Sequence, residues 1–265
     1  MFVRLLGPVI VEGEASALRL ASGRARTLLS LLASRHGHTV PDETLIERIW
    51  GGNQPVEPMD ALYTCAKRLR RSIRQVCDIN PVQRRQEGYL LSRRAVTVDI
   101  TGFRTGVQEA RTATRIGQDH TALELLTPAL ELWRGTPLSE VPGHWAHMTR
   151  RTLCREYQQA QLLRAEIGLR LGHHAQLLPA LWEVTSDFPG DETAAGLLMI
   201  ALDQCGRQPE ALAHYRRLRR RLADEIGVEP GPWLRHLHES LLCGAPLIQQ
   251  VPQPGSGESR ADARV

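Results

Sequence analysis

The chain has 265 residues, of which 42% are apolar and 23% charged, proportions of a folded globular chain that exclude wholesale disorder. Every apolar stretch breaks off before the roughly 18 residues a membrane span needs, and Met1–Leu5 lacks the basic-then-apolar order of a signal peptide, so a cytoplasmic protein is expected. The net charge of +4 is uneven: residues 1–100 hold 15 Lys+Arg against 10 Asp+Glu and the remainder 18 against 19, which points to a polyanionic partner for the first part alone.

Residues 2–11 (FVRLLGPVIV) are β-rich around a Gly7-Pro8 turn and read as two short strands, with Leu18-Arg19-Leu20 as a third. From Arg24 the period becomes helical, with Ala25, Leu28, Leu29 and Leu32 on one side and a stop near Gly37. A second helix follows Pro41, with Asp42 as its cap and Leu45, Ile46 and Ile49 on its apolar side. The loop Gly51–Pro55 ends it. A third helix runs from about Met59 to Val76. The segments 81–84 and 89–92 then form a hairpin through Gly88. Strands, three helices and a hairpin in that order describe a winged helix-turn-helix.

At about 100° per residue the third helix has two faces. Leu62, Cys65, Ala66, Leu69, Ile73 and Val76 gather on one. Asp60, Tyr63, Thr64, Lys67, Arg70, Arg71 and Arg74 gather on the other, flanked by Arg68. The N-terminal residues of a recognition helix touch base edges, and cations further along bind phosphate. Tyr63, Thr64 and Lys67 are therefore expected at the bases. Arg68, Arg70, Arg71 and Arg74 are expected at phosphates or in mixed contacts. Asp60 could accept from a cytosine amine or cap the helix. Arg84 and Arg85 on the hairpin are placed to enter the neighbouring minor groove.

Beyond Asp99 the pattern is helical to about Leu242. Leu171–Leu178 matches Cys205–Leu212 at an offset of 34 residues, the tetratricopeptide period. A third copy starts at Ile116-Gly117, 55 residues before Gly172, which implies an insertion near 134–144. The four tryptophans 133, 145, 182 and 233 read as core or groove-lining residues. Residues 244–265, rich in Gly, Pro, Ser and Gln, read as a disordered tail. The expected fold is mostly α with a small β component: a winged-helix DNA-binding domain (1–97), an all-α tetratricopeptide-like domain (98–243) and the tail (244–265).

Catalytic chemistry finds no residues. Lys67 is the only lysine among 33 basic residues and follows no glycine loop, so a nucleotide-binding P-loop is absent and Schiff-base chemistry would fall to it alone. Five widely spaced cysteines, with no C-x-x-C pair, argue against disulfides and zinc, and most are expected to be buried. The pairs His144/His147, His173/His174 and His236/His238 lack metal-site spacing, so neither a metal nor a cofactor is expected. In the run Tyr215–Arg221, pairing of the arginines with Asp224 and Glu225 is preferred to nucleic-acid binding.

The stretches VRLLGPVIV (3–11), DETLIERIW (42–50), AKRLRRSI (66–73), EGYLLS (87–92), VDITGF (98–103), ALELWRGTPLSEV (129–141), LRLGHHAQLLPAL (169–181) and GRQPEALAHYRRLRRRLADEIGVEPGPWLRHLHESLL (206–242) resemble the Streptomyces antibiotic regulatory protein family. The resemblance covers roughly residues 1–242 and is closest to the family's small members. It implies an OmpR-like winged helix without a receiver domain, followed by a bacterial transcriptional activation domain. It further implies an activator of secondary-metabolite gene clusters. Such proteins bind direct repeats near the −35 element as side-by-side dimers and recruit RNA polymerase holoenzyme at its sigma factor. A protein-interaction adaptor and a ligand-sensing regulator are the alternatives.

Overall fold

The computed structural model describes residues 1–14 and 16–252. The chain is mostly helical with short strands. It forms two compact units, Met1–Gly106 with Pro128–Glu156, and Val107–Thr127 with Tyr157–Val265, the latter described to residue 252. Residues 98–106 and 128–156 thus pack with the N-terminal unit, a division that differs from the break expected at residue 97.

The first unit opens with β1 (Phe2–Arg4), β2 (Ile10–Glu12) and β3 (Ala17–Leu18). Alternation buries Val3 and Val11, which face each other across the antiparallel β1–β2 pair. A fourth strand, β7 (Thr97–Val98), joins β1 in parallel, giving the order β3-β2-β1-β7. Three helices follow the meander: α1 (Gly23–Ser34), α2 (Asp42–Trp50) and α3 (Pro58–Ile73). Ser22 caps α1 through its hydroxyl to Ala25 N. Leu28, Leu29, Leu32, Leu45, Leu62 and Leu69 are fully buried where the three helices pack. Each such leucine stabilises the fold by about 1.5–3 kcal/mol.

The second sheet has the order β4-β6-β5, from β4 (Val40–Pro41), β5 (Val82–Arg85) and β6 (Gly88–Leu91). β5 and β6 are the expected hairpin, and it pairs back onto the start of α2 through Asp42 N to Glu87 O at 2.9 Å. Gly88 is required by close approach. A Cβ there would lie 1.9 Å from the Val40 carbonyl oxygen, which is backbone and cannot swing away. Gly88→Ala is expected to prise β4 from β6 and cost about 1–3 kcal/mol, read as a lower denaturant midpoint; an unchanged midpoint would show that the hairpin tolerates the displacement.

The next elements are α4 (Asp99–Arg115), α5 (Asp119–Glu131) and α6 (His144–Arg170). The Asp99 carboxylate, fully buried, accepts from the N–H groups of Leu5 (2.7 Å), Leu6 (2.9 Å) and Ile100 (2.8 Å). Burial pushes its pKa up, and those three donors oppose the shift. The insertion near 134–144 is a strap on the same unit. Arg134 N donates to Leu6 O at 2.8 Å and Leu138 N to Leu5 O at 3.0 Å. Leu138 is fully buried at φ 53, a left-handed conformation rare for a leucine, and the Arg150 guanidinium braces it by donating to the carbonyls of Pro137, Leu138 and Val141.

The second unit continues with α7 (His174–Asp187), α8 (Glu192–Gln204), α9 (Gln208–Glu225) and α10 (Pro232–Leu242). The repeat read from the sequence recurs as one turn geometry. Gly117, Gly172 and Gly206 all have positive φ (76°, 82° and 70°), and each is followed by an N–H that reaches back five residues. Those bonds are Gln118 to Ala113, His173 to Gly168 and Arg207 to Leu202, at 2.8–2.9 Å. This helix-ending turn needs the left-handed residue that glycine supplies. The core is Leu169, Leu181, Leu197, Leu198, Leu202, Tyr215 and Leu237 with their neighbours.

Three expectations need correction. The disordered tail does not begin at residue 244. Residues 247–250 form a short 3-10 helix, Leu247 and Val251 are buried in the core, and Trp233 Nε1 donates to Gln250 O at 3.2 Å; two apolar residues were enough to anchor a segment of disorder-like composition. The rest of that tail, 253–265, lies outside the described residues. Asp42 does not cap α2; it is the first helical residue, and its carboxylate pairs with Arg84. Of the cysteines, Cys65 is buried, Cys77, Cys154 and Cys205 are half-buried, and Cys243 is exposed.

Candidate nucleic-acid interface

α3 is sharply two-faced. Leu62, Cys65, Ala66, Leu69 and Ile73 are buried against α1 and α2, and burial pushes the Cys65 thiol up to about 11, so it stays protonated and acts as an apolar residue. Tyr63, Thr64, Lys67, Arg68, Arg71 and Arg74 are exposed. Pro58 begins the helix, and Arg74, expected inside it, is its C-terminal cap residue; Val76 lies beyond the end. The exposed cations have the spacing of a helix face, so one side presents a row of positive charge with no carboxylate after Asp60.

The hairpin divides its cations differently. Arg70, in α3, is only part-exposed: its Nε donates to Val82 O at 3.0 Å, and its guanidinium lies 5.6 Å from the centre of the Tyr89 ring. Arg84 sits opposite Tyr89 in the ladder, 4.8 Å from the ring centre, and bonds to the Asp42 carboxylate. That ion pair raises the Arg84 pKa. Tyr89 is almost wholly buried, and burial raises its pKa. The four residues form a clamp joining α2, α3 and both hairpin strands. Two of the nine residues expected at DNA therefore have intramolecular partners that hold the hairpin against the helix. Arg85 is exposed at the end of β5, with one bond to the Gln83 side chain at 2.8 Å.

One neighbouring feature carries no signal in the sequence. A cavity of about 280 Å³ is lined by Ser22, Arg24, Trp50, Asp60, Thr64 and Arg68. Arg24, whose guanidinium lies 5.6 Å from the Trp50 ring, thereby adds a cation beside the start of α3. Residues 51–57 form an exposed loop in which Val56 is 100% exposed. This is the loop read from the sequence after the second helix, and it extends to the first residue of α3.

In the second unit the arginine run meets the expected pairing in part: Glu225 is a partner as expected, but Glu229, beyond the end of α9, is the other. Arg221 pairs with Glu225 at 3.0 Å and Arg219 with Glu229 at 2.8 Å. A groove of about 540 Å³ is lined by Trp182, His214, Arg217 and Arg221 among others. The His214 ring meets Trp182 edge-on at 5.6 Å, and burial, with Arg217 adding to it, lowers the His214 pKa to about 4. A histidine whose folded pKa is depressed stabilises the fold above its unfolded pKa of about 6.5 and loses that contribution as pH falls toward 4. Denaturant unfolding at pH 7.5 and pH 4 is expected to show roughly 2–3 kcal/mol more acid destabilisation in the wild type than in His214→Gln; equal pH dependence would contradict the assignment.

Among the described residues no helix is long and apolar enough to cross a membrane, and no group of three or more His, Cys, Asp or Glu is placed to hold a metal ion. Residues 17–91 match the family described as "Transcriptional regulatory protein, C terminal", and residues 98–242 match "Bacterial transcriptional activator domain". The chain is 34% identical to the regulatory protein AfsR of Streptomyces coelicolor over 93% of its own length, but spans only 25% of AfsR. It is 30% identical to the regulatory protein DnrI of Streptomyces peucetius, covering 94% of this chain and 95% of DnrI. The structure of Mycobacterium tuberculosis EmbR, solved in complex with a low-affinity phosphopeptide, superposes with a TM-score of 0.86 at 25% identity, over 92% of this chain and 65% of EmbR.

Proposed function

Because the chain belongs to the Streptomyces antibiotic regulatory protein family of bacterial transcriptional regulators, which are DNA-binding regulators and not enzymes, we propose that it activates promoters of a secondary-metabolite cluster. In this reading two copies lie side by side on direct repeats near the −35 element. Each sets α3 in a major groove, with Tyr63, Thr64 and Lys67 toward base edges and Arg68, Arg71 and Arg74 toward phosphates. Arg70 and Arg84 act one step back, fixing the hairpin so that Arg85 can reach the adjacent minor groove. The same reading assigns DNA binding to residues 1–97 and activation to residues 98–243, with family matches over 17–91 and 98–242 in its support. The exposed 51–57 loop and the helical domain are left to touch RNA polymerase at its sigma factor. Recruitment of that kind needs only a modest contact, since each ~1.4 kcal/mol multiplies occupancy tenfold.

The observation that carries this reading is the α3 face itself: Tyr63, Thr64, Lys67, Arg68, Arg71 and Arg74 stand exposed along one helix whose other side is buried. Footprinting on the promoters beside its own gene tests it. Two same-orientation protected sites about one helical turn apart are expected. Protection that does not weaken with salt, or no protection, would favour an adaptor that docks on protein instead.

A further inference from the structure

Nine large apolar side chains stand exposed among the described residues, and three of them, Val56, Met59 and Tyr63, fall within eight residues at the head of α3. Met59 is 51% and Tyr63 59% exposed. They are four residues apart, so they share a face, and Lys67 and Arg71 continue the same row at the same step. The Met59 thioether and the face of the Tyr63 ring offer phosphate nothing, and only the Tyr63 hydroxyl could bond to one. The apolar surface of the two is suited to a base edge. Reading guanine requires donors to O6 and N7, and adenine a donor–acceptor pair such as an amide. Between Pro58 and Ala66 the helix carries no Arg, Lys, Asn or Gln, and Asp60 would repel the guanine acceptors. The one base feature in the major groove that suits Met59 and an aromatic ring is the C5-methyl of thymine.

We propose that Met59 and Tyr63 recognise thymine methyl groups, so that the part of each half-site under the start of α3 is specified by thymine and not by guanine. The inference rests on α3 being the recognition helix. Occupation of this row by duplex, and not by a protein, is argued from Lys67, Arg71 and Arg74 on the same face, which supply charge complementary to DNA.

The test uses the full chain and a duplex that the wild type has selected from a random library. Each thymine is replaced in turn by uracil, which removes the methyl and leaves charge and hydrogen bonding unchanged. Affinity is expected to fall about fourfold, the worth of one buried methyl, at two thymines per half-site. Met59→Ala should abolish the uracil penalty at one of these positions and Tyr63→Ala at another. Both side chains are exposed, and the wild-type measurement needs no variant. Indifference of the wild type to uracil at every thymine would overturn the inference and leave DNA binding standing, as would penalties that persist in both variants. Failure to select any sequence, with binding indifferent to salt, would instead bring down the promoter-binding reading and this inference with it.

Discussion

Replacing Arg71 and Arg74 together by alanine is expected to reduce affinity for duplex DNA about thirtyfold near 0.15 M salt, equally on target and unrelated sequences. Each phosphate contact releases condensed counterions, so the logarithm of the binding constant falls with the logarithm of salt with a slope of about 0.9 per contact. Removing two contacts should flatten that slope by about 1.8, and at 0.15 M each is then worth about a fivefold change. Both residues are exposed and neither is tied to the hairpin, so the fold should be unaffected. Thr64→Ala serves as the contrast. It should change base preference while leaving the slope alone, because a base-edge contact displaces no counterion. Arg84→Ala belongs to neither class: it opens the clamp on Asp42 and Tyr89, and its loss of binding should come with a lower unfolding midpoint. An unaltered slope in the double arginine variant would sink the phosphate assignment, whatever happened to affinity.

The periodic parts of this molecule were legible in its sequence and the pairings across long separations were not. α1, α2 and α3 follow from apolar residues at helical spacing, and the hairpin from two β-rich runs around Gly88, because both signals are local. Gly172 and Gly206 mark the repeats in the sequence because each closes a helix in the left-handed conformation. Two strands of two residues each, β4 and β7, leave no signal in the sequence. Such strands have no period of their own and exist only through partners 49 and 95 residues away, Tyr89 for Val40 and Val3 for Val98. The cations posed the same problem. Periodicity places Arg70 on the exposed face with Lys67 and Arg74, but the register that sets Arg84 opposite Tyr89 decides that Arg70 and Arg84 are engaged within the protein. The strap near 134–144 looked like an insertion between repeats because nothing in its own residues announces Leu5 and Leu6 as partners.

Asp99→Ala is expected to be the most destabilising single change, lowering unfolding free energy by about 3–6 kcal/mol. Three backbone N–H groups, of Leu5, Leu6 and Ile100, end on this one carboxylate at 2.7–2.9 Å in a site closed to water. Alanine leaves all three without an acceptor, and each buried unsatisfied group costs roughly 1–3 kcal/mol. A typical domain has only about 5–15 kcal/mol to lose. Asp99→Asn separates the geometry from the charge. Its carbonyl oxygen can still accept from Leu5 and Leu6, but its amide then opposes the Ile100 N–H, so an intermediate loss is expected. The location matters for function, since Asp99 joins the start of α4 to the end of β1, and the Arg134 and Leu138 N–H groups donate to the carbonyls of Leu6 and Leu5. Chemical denaturation of the three proteins measures the order directly. A wild-type midpoint in Asp99→Ala would mean that the three N–H groups find water or new partners, and that the buried carboxylate is not what fastens the first strand to the helix.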